Sequence, residues 1–161
     1  MGSLYKVLAK LLANKLKCVI GSVISYTQTA FVPGRQILDG ILVANEVVDE
    51  VKKLNQIMLL FKVDFEKAYD SVDWTYLDDV MSKMSFPNLW RKWIKECVTT
   101  AMATVLVNGI PMEEFNLARG LRQGDHLSTF LFLLAAEGFH VMMESMVTNN
   151  IFHSCRVGRD Q

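Results

Sequence analysis

Five stretches of this chain repeat their apolar side chains at helical spacing, and that repetition narrows the folds open to it more than any other feature. Leu4, Val7, Leu8, Leu11, Leu12 and Leu16 form the first stripe, with lysines between them, so residues 4 to 18 read as an amphipathic helix. Ile37, Ile41, Ala44, Val48 and Val51 form a second stripe after the turn signal Pro33-Gly34. Leu77, Val80, Met81 and Met84 predict a third helix ending near Pro87, Leu89, Trp93, Ile94 and Cys97 a fourth, and the apolar stretch from about Leu127 to Met146 a fifth. Strand signals are shorter. Residues 57 to 63 are a mostly apolar run of buried-strand length that delivers Asp64 at its carboxyl end. Ala103 to Val107, Asn108-Gly109 and Ile110 spell a hairpin with a type I′ turn.

Both periodicities in one chain predict an α+β domain. A chain of 161 residues is long enough to bury about 68–70% of its unfolded surface around one core. An apolar content of 51% against 21% charged residues excludes a disordered chain. The richest apolar run, Phe130 to Ala136, stops at Glu137, short of the roughly 20 residues that a membrane-crossing helix needs, so no membrane partner is expected. Cys18, Cys97 and Cys155 are odd in number and lack a Cys-x-x-Cys pair, which argues against a disulfide framework or a cysteine metal site. A reducing intracellular setting, cytoplasm or nucleus, is the expectation. The three histidines, His126, His140 and His153, show no ligand spacing, and nothing in the sequence reports the oligomeric state.

The formal net charge of zero hides an uneven distribution. Residues 1 to 35 carry Lys6, Lys10, Lys15, Lys17 and Arg35 and no acid, whereas residues 36 to 80 hold ten acids against four lysines. A basic segment running into an acidic centre suits a polyanion held beside a metal site, and it equally suits solvated helix faces. Within the acidic stretch Asp64 stands out. On an alternating strand Lys62 and Asp64 share one face and Phe61 and Val63 the other, so the acid would stand clear of the core as a hard oxygen donor for a cation such as Mg²⁺. Taken alone, an Asp in that place is also an ordinary turn or cap residue.

The neighbouring residues sharpen this. The stretch from Phe61 to Trp74, FKVDFEKAYDSVDW, resembles the A motif of non-LTR retrotransposon reverse transcriptases. The stretch from Gly120 to Phe132, GLRQGDHLSTFLF, continuing to Glu137, resembles that family's B motif. Gln28 to Asp39, QTAFVPGRQILD, with Ala44 and Glu46 beyond it, resembles the fingers-region block, and Leu4 to Asn14 is similar to plant versions. The three blocks stand in the family's order and cover nearly the whole chain.

The resemblance implies a right-hand polymerase fingers/palm fragment, with helices packed on a small, largely antiparallel sheet. Residues 1–56 would be the fingers-side helical segment and 57–161 the palm segment carrying the A and B motifs. The implied activity is RNA-directed DNA synthesis on an RNA template with a DNA primer, deoxynucleoside triphosphates and Mg²⁺, with Mn²⁺ as an alternative. Asp64 matches the catalytic, metal-holding aspartate, and the carbonyl of Phe65 an adjacent metal ligand. Backbone amides around Lys67 and Ala68 would face the triphosphate, and Tyr69 matches the aromatic residue that obstructs a 2′-hydroxyl. Arg35 matches a phosphate-gripping arginine of the fingers, and Gln123 and Gly124 match the loop that touches nucleotide and template. Asp70, Asp73, Asp125 and Ser128 read better as turn or cap residues.

Three departures qualify this. The family's downstream Ala-Asp-Asp cluster and its upstream Arg-Pro-Ile-Ser-Leu block have no counterpart in the chain, and Asp160 does not match the former. His126 and Thr129 stand where the family usually has proline, which suits a decaying element copy. A lone Asp64 implies a chain inactive by itself, and the rival expectation is a non-catalytic remnant or nucleic-acid-binding module whose basic first helix binds phosphates.

Overall fold

The computed structural model describes residues 3–55, 57–100 and 102–153. The helical stripes form helices α1 (Ser3–Val23), α2 (Ile37–Lys53), α3 (Trp74–Lys83), α4 (Asn88–Thr99) and α5 (His126–Thr148). α1 runs past the expected end at residue 18 because its apolar face continues: Ala9, Leu12, Ala13, Leu16 and Ile20 are all buried along one side. That side lies on α5, whose Leu127, Leu131 and Leu134 are equally buried. Each buried Leu or Ile among them contributes roughly 1.5–3 kcal/mol by leaving water. α3 packs on both α4 and α5, and Leu77, Met81, Ile94 and Cys97 close the same core.

Two local devices set these packings. Asp73 caps α3, its carboxylate accepting from the Tyr76 amide at 2.8 Å, and Asp125 caps α5, accepting from the Leu127 amide at 3.0 Å. The capping expected of Asp73 and Asp125 is therefore present. At the α3–α5 crossing, a Cβ on Gly138 would stand 2.4 Å from Val80 Cγ2 and 2.7 Å from the Tyr76 hydroxyl oxygen. Glycine permits an approach that any other residue would block.

Short strands β1 (Met102–Ala103), β2 (Leu106–Val107), β3 (Ile110–Pro111) and β4 (Phe115–Asn116) form one hairpin, β2 pairing β3 and β1 pairing β4, all antiparallel. Asn108 and Gly109 take φ values of 50° and 80°, the type I′ turn expected of that pair. None of these strand residues belongs to the buried core. The α+β class holds, but the helices pack on one another, and the expectation of helices packed on a sheet is corrected to that extent.

A second correction concerns residues 57 to 65, which have no regular structure. Ile57, Leu59, Leu60 and Phe61 are each at least 66% exposed. A strand is defined by its hydrogen-bond partner, and the described residues supply none alongside this run, so Asp64 does not sit at a strand end here. α2 also stands away from the core: Val51 is its one buried residue, while Ile37, Leu38, Ile41 and Leu42 face outward. α5 is, by length and composition, long and apolar enough to cross a membrane, which the shorter run read from the sequence did not indicate. It also carries the buried Glu137 and supplies one wall of the core.

Candidate functional site

Residues 66 to 71 form a turn in which Lys67 adopts φ 56° and the Ser71 amide closes back on the Lys67 carbonyl at 3.0 Å. The amides of Lys67 and Ala68 donate to no protein acceptor among the described residues, which leaves them available to a ligand. Immediately beyond, the chain is tied to the loop that precedes α5. The Leu121 amide donates to the Tyr69 carbonyl at 2.8 Å, the Gly120 amide to the Val72 carbonyl at 2.8 Å, and the Trp74 indole N–H to the Gly120 carbonyl at 2.7 Å. Three such bonds contribute on the order of 3 kcal/mol together. Gly120 has φ 95°, and a Cβ there would meet the Asp70 carbonyl oxygen at 3.0 Å. Only glycine allows the two backbones to lie this close.

Aromatic packing fixes the same turn on α5. The half-buried Tyr69 ring stacks on Phe132 with centroids 5.3 Å apart, and Phe65 sets its edge against Phe132 and Phe139 at 6.3 and 6.4 Å. Asp64, just before Phe65, is exposed. The two motif segments, about fifty residues apart in sequence, are thus one structural unit seated on one helix.

Gln123 and Gly124 are exposed at a turn, Gly124 with φ 80° and open space where a Cβ would go. They line a cavity of about 340 Å³ with Tyr5, Lys6, Lys10, Asp125 and His126. The Tyr5 hydroxyl donates to Asp125 Oδ2 at 2.7 Å, and the Arg122 guanidinium lies 4.3 Å above the Tyr5 ring. Burial, then the bond to Asp125, pushes the Tyr5 hydroxyl well above the ordinary tyrosine range, so it stays a donor. Asp64 is not among the residues lining this cavity.

Arg35 is placed differently from expectation. Its guanidinium donates to the carbonyls of Ser25 and Gln28, the latter at 2.7 Å, and to those of Gly21 and Ile24 at 3.1 and 3.3 Å. It clamps the end of α1 and the following loop, and the donors a phosphate would need are spent on backbone. The same loop is held from α5 by Glu137, buried to 6% exposure, whose carboxylate accepts the Ser25 amide at 3.0 Å and the Ser25 hydroxyl at 3.1 Å. A glutamate inside the most apolar helix signals such a partner, since a buried carboxylate needs donors. Lys6 and Lys10 were legible as part of a basic first helix able to bind phosphate, whereas the cavity that they line with Tyr5 was not, because it exists through the α1–α5 contact.

As a metal site the arrangement is partial. Asp64 and the Phe65 carbonyl are hard oxygen donors, but among the described residues no group of three histidine, cysteine, aspartate or glutamate side chains gathers to hold an ion. These residues alone do not make a divalent-cation centre.

Comparison with known proteins agrees with the motif geometry. Residues 1–155 match the family described as "Reverse transcriptase (RNA-dependent DNA polymerase)". The chain is also 31% identical over 144 residues to the "Transposon TX1 uncharacterized 149 kDa protein" of Xenopus laevis, covering 89% of this chain and 11% of that protein. Two motif segments sewn together across Gly120, in a chain matched over nearly its full length, lead to one conclusion: the chain belongs to the reverse transcriptase family.

Proposed function

We propose that this chain is the fingers-to-palm part of the RNA-directed DNA polymerase of a LINE-type non-LTR retrotransposon of plant origin, with residues 1–56 on the fingers side and 57–161 in the palm. The observation that carries this is the hydrogen-bonded joint between the turn at Tyr69 to Trp74 and the loop at Gly120-Leu121. In that arrangement the Lys67 and Ala68 amides face the triphosphate of a deoxynucleotide, and Tyr69, held by Phe132, obstructs a 2′-hydroxyl. Gln123 and Gly124 touch the nucleotide and template strand, Gly124 by close backbone approach. Arg35 serves by holding the fingers-side loop rather than by gripping phosphate. The parent reaction is in-line attack of a primer 3′-hydroxyl on the α-phosphate of the nucleotide, in which these residues bind and orient.

Reverse transcriptases use divalent metal ions, and Mg²⁺, or Mn²⁺ in its place, would find in this chain Asp64 and the Phe65 carbonyl as oxygen donors. When bound, such ions neutralise charge on the phosphates. Since Asp64 is the one matched carboxylate, the chain by itself binds its RNA template and DNA primer without extending the primer. A second reading, a non-catalytic nucleic-acid-binding module, draws on the same lone carboxylate. The two separate in a chimera where residues 1–155 replace the matching segment of an active family member. RNA-templated synthesis abolished by Asp64→Asn supports the polymerase reading. A folded chimera that binds template–primer and makes no product favours the binding module.

A further inference from the structure

Lys6 and Lys10 stand one helical turn apart on the same face of α1 and wall the cavity of about 340 Å³ opposite Gln123, Gly124 and His126. Neither lysine makes an ion pair among the described residues. The one acid lining the cavity, Asp125, has both carboxylate oxygens engaged, Oδ2 by the Tyr5 hydroxyl at 2.7 Å and Oδ1 by the Leu127 amide at 3.0 Å. It caps α5, and its single charge leaves the two lysines in excess. On the same helix, Ala9, Leu12 and Ala13 are buried where α1 packs on α5. What remains is a concave, cation-lined opening with the open Gly124 backbone in its lining, the chemistry that receives a phosphate oxyanion.

We infer that the cavity between Lys6, Lys10 and the Gln123–His126 turn is a phosphate-binding site that holds the sugar-phosphate backbone of one nucleic-acid strand. This rests on the polymerase reading and adds a contact to it. A strand fits better than a free nucleotide, because none of Asp64, Phe65, Lys67 and Tyr69 lines the cavity. Two cations spaced along a helix also match consecutive phosphates of a backbone.

The test titrates the full chain against a short fluorescent single-stranded RNA at several salt concentrations, with circular dichroism confirming the fold of each variant. Lys6→Gln/Lys10→Gln removes two phosphate contacts, so the log–log salt slope should fall by about 1.4 and affinity near 0.1 M salt by about 25-fold. Lys52→Gln/Lys53→Gln, at the far end of α2, should change neither as much. Lys10→Gln alone should give about half the slope change. A double variant that binds like the unaltered chain overturns this site and leaves the polymerase reading standing. Equal displacement of the RNA by a stoichiometric deoxynucleoside triphosphate moves the phosphate to a free nucleotide and overturns the strand assignment. Absence of RNA binding by the unaltered chain overturns both.

Discussion

Arg35 donates to four carbonyls between Gly21 and Gln28, and its removal leaves the end of α1 and its loop without their shared donor. Arg35→Ala should lower stability by about 2 kcal/mol, and Arg35→Lys should recover only part, since an ammonium cannot fork across four acceptors. Urea midpoints read both. Had the guanidinium been free for phosphate, the alanine variant would unfold like the parent. Tyr5 gives a pH dependence with a definite sign. Its folded-state value lies above the ordinary value near 10, so the stability from the neutral hydroxyl is complete below about pH 10 and is lost as pH rises toward the raised value. Tyr76, raised by burial with its hydroxyl donating to the Ala135 carbonyl, acts in the same direction. Tyr5→Phe should flatten the alkaline limb of a midpoint-against-pH curve; an unchanged limb would show that the Asp125 bond carries none of it.

At the scale of elements, the α5 entry separates two substitutions that look alike in sequence. His126 is the first helical residue after the Asp125 cap, a position where proline's fixed φ suits the backbone and no helical N–H is lost. Thr129 is the fourth, the first whose N–H belongs to the i→i−4 pattern. His126→Pro should therefore stabilise by about 0.4–1 kcal/mol, while Thr129→Pro should destabilise. Thermal midpoints moving the same way for both would contradict this. Where α3 crosses α5, Gly138→Ala should cost about 1–3 kcal/mol by pressing on Val80 and Tyr76, and Val80→Ala in the same chain should relieve part of it. The helices and the Asn108-Gly109 turn were legible because their signals are local: side chains three or four apart on one helix, and two residues that accept positive φ. The run at 57 to 63 was not legible in the same way, because hydrophobicity marks a strand only where a partner pairs with it. Arg35 shows the same limit among site residues: its type and neighbours matched a phosphate grip, and the fold turned its donors to carbonyls 7 to 14 residues away.

For the molecule as a whole, the segment at Tyr69 to Trp74 and the loop at Gly120-Leu121 are joined by backbone bonds and by the Trp74 indole, and Tyr69 and Phe65 pack on α5. Among the described residues no group of three histidine, cysteine, aspartate or glutamate side chains gathers around this joint to hold a metal ion. Under the proposed polymerase reading, this chain holds template and primer without joining a nucleotide. Primer extension tests it most directly: purified chain and Asp64→Asn, each with annealed RNA template and DNA primer, four deoxynucleotides and Mg²⁺, with product and bound fraction read from the same samples. Both proteins should retain the template–primer at low salt, release it as salt rises, and give no extended primer. Extension by the parent chain that disappears in Asp64→Asn would contradict the claim.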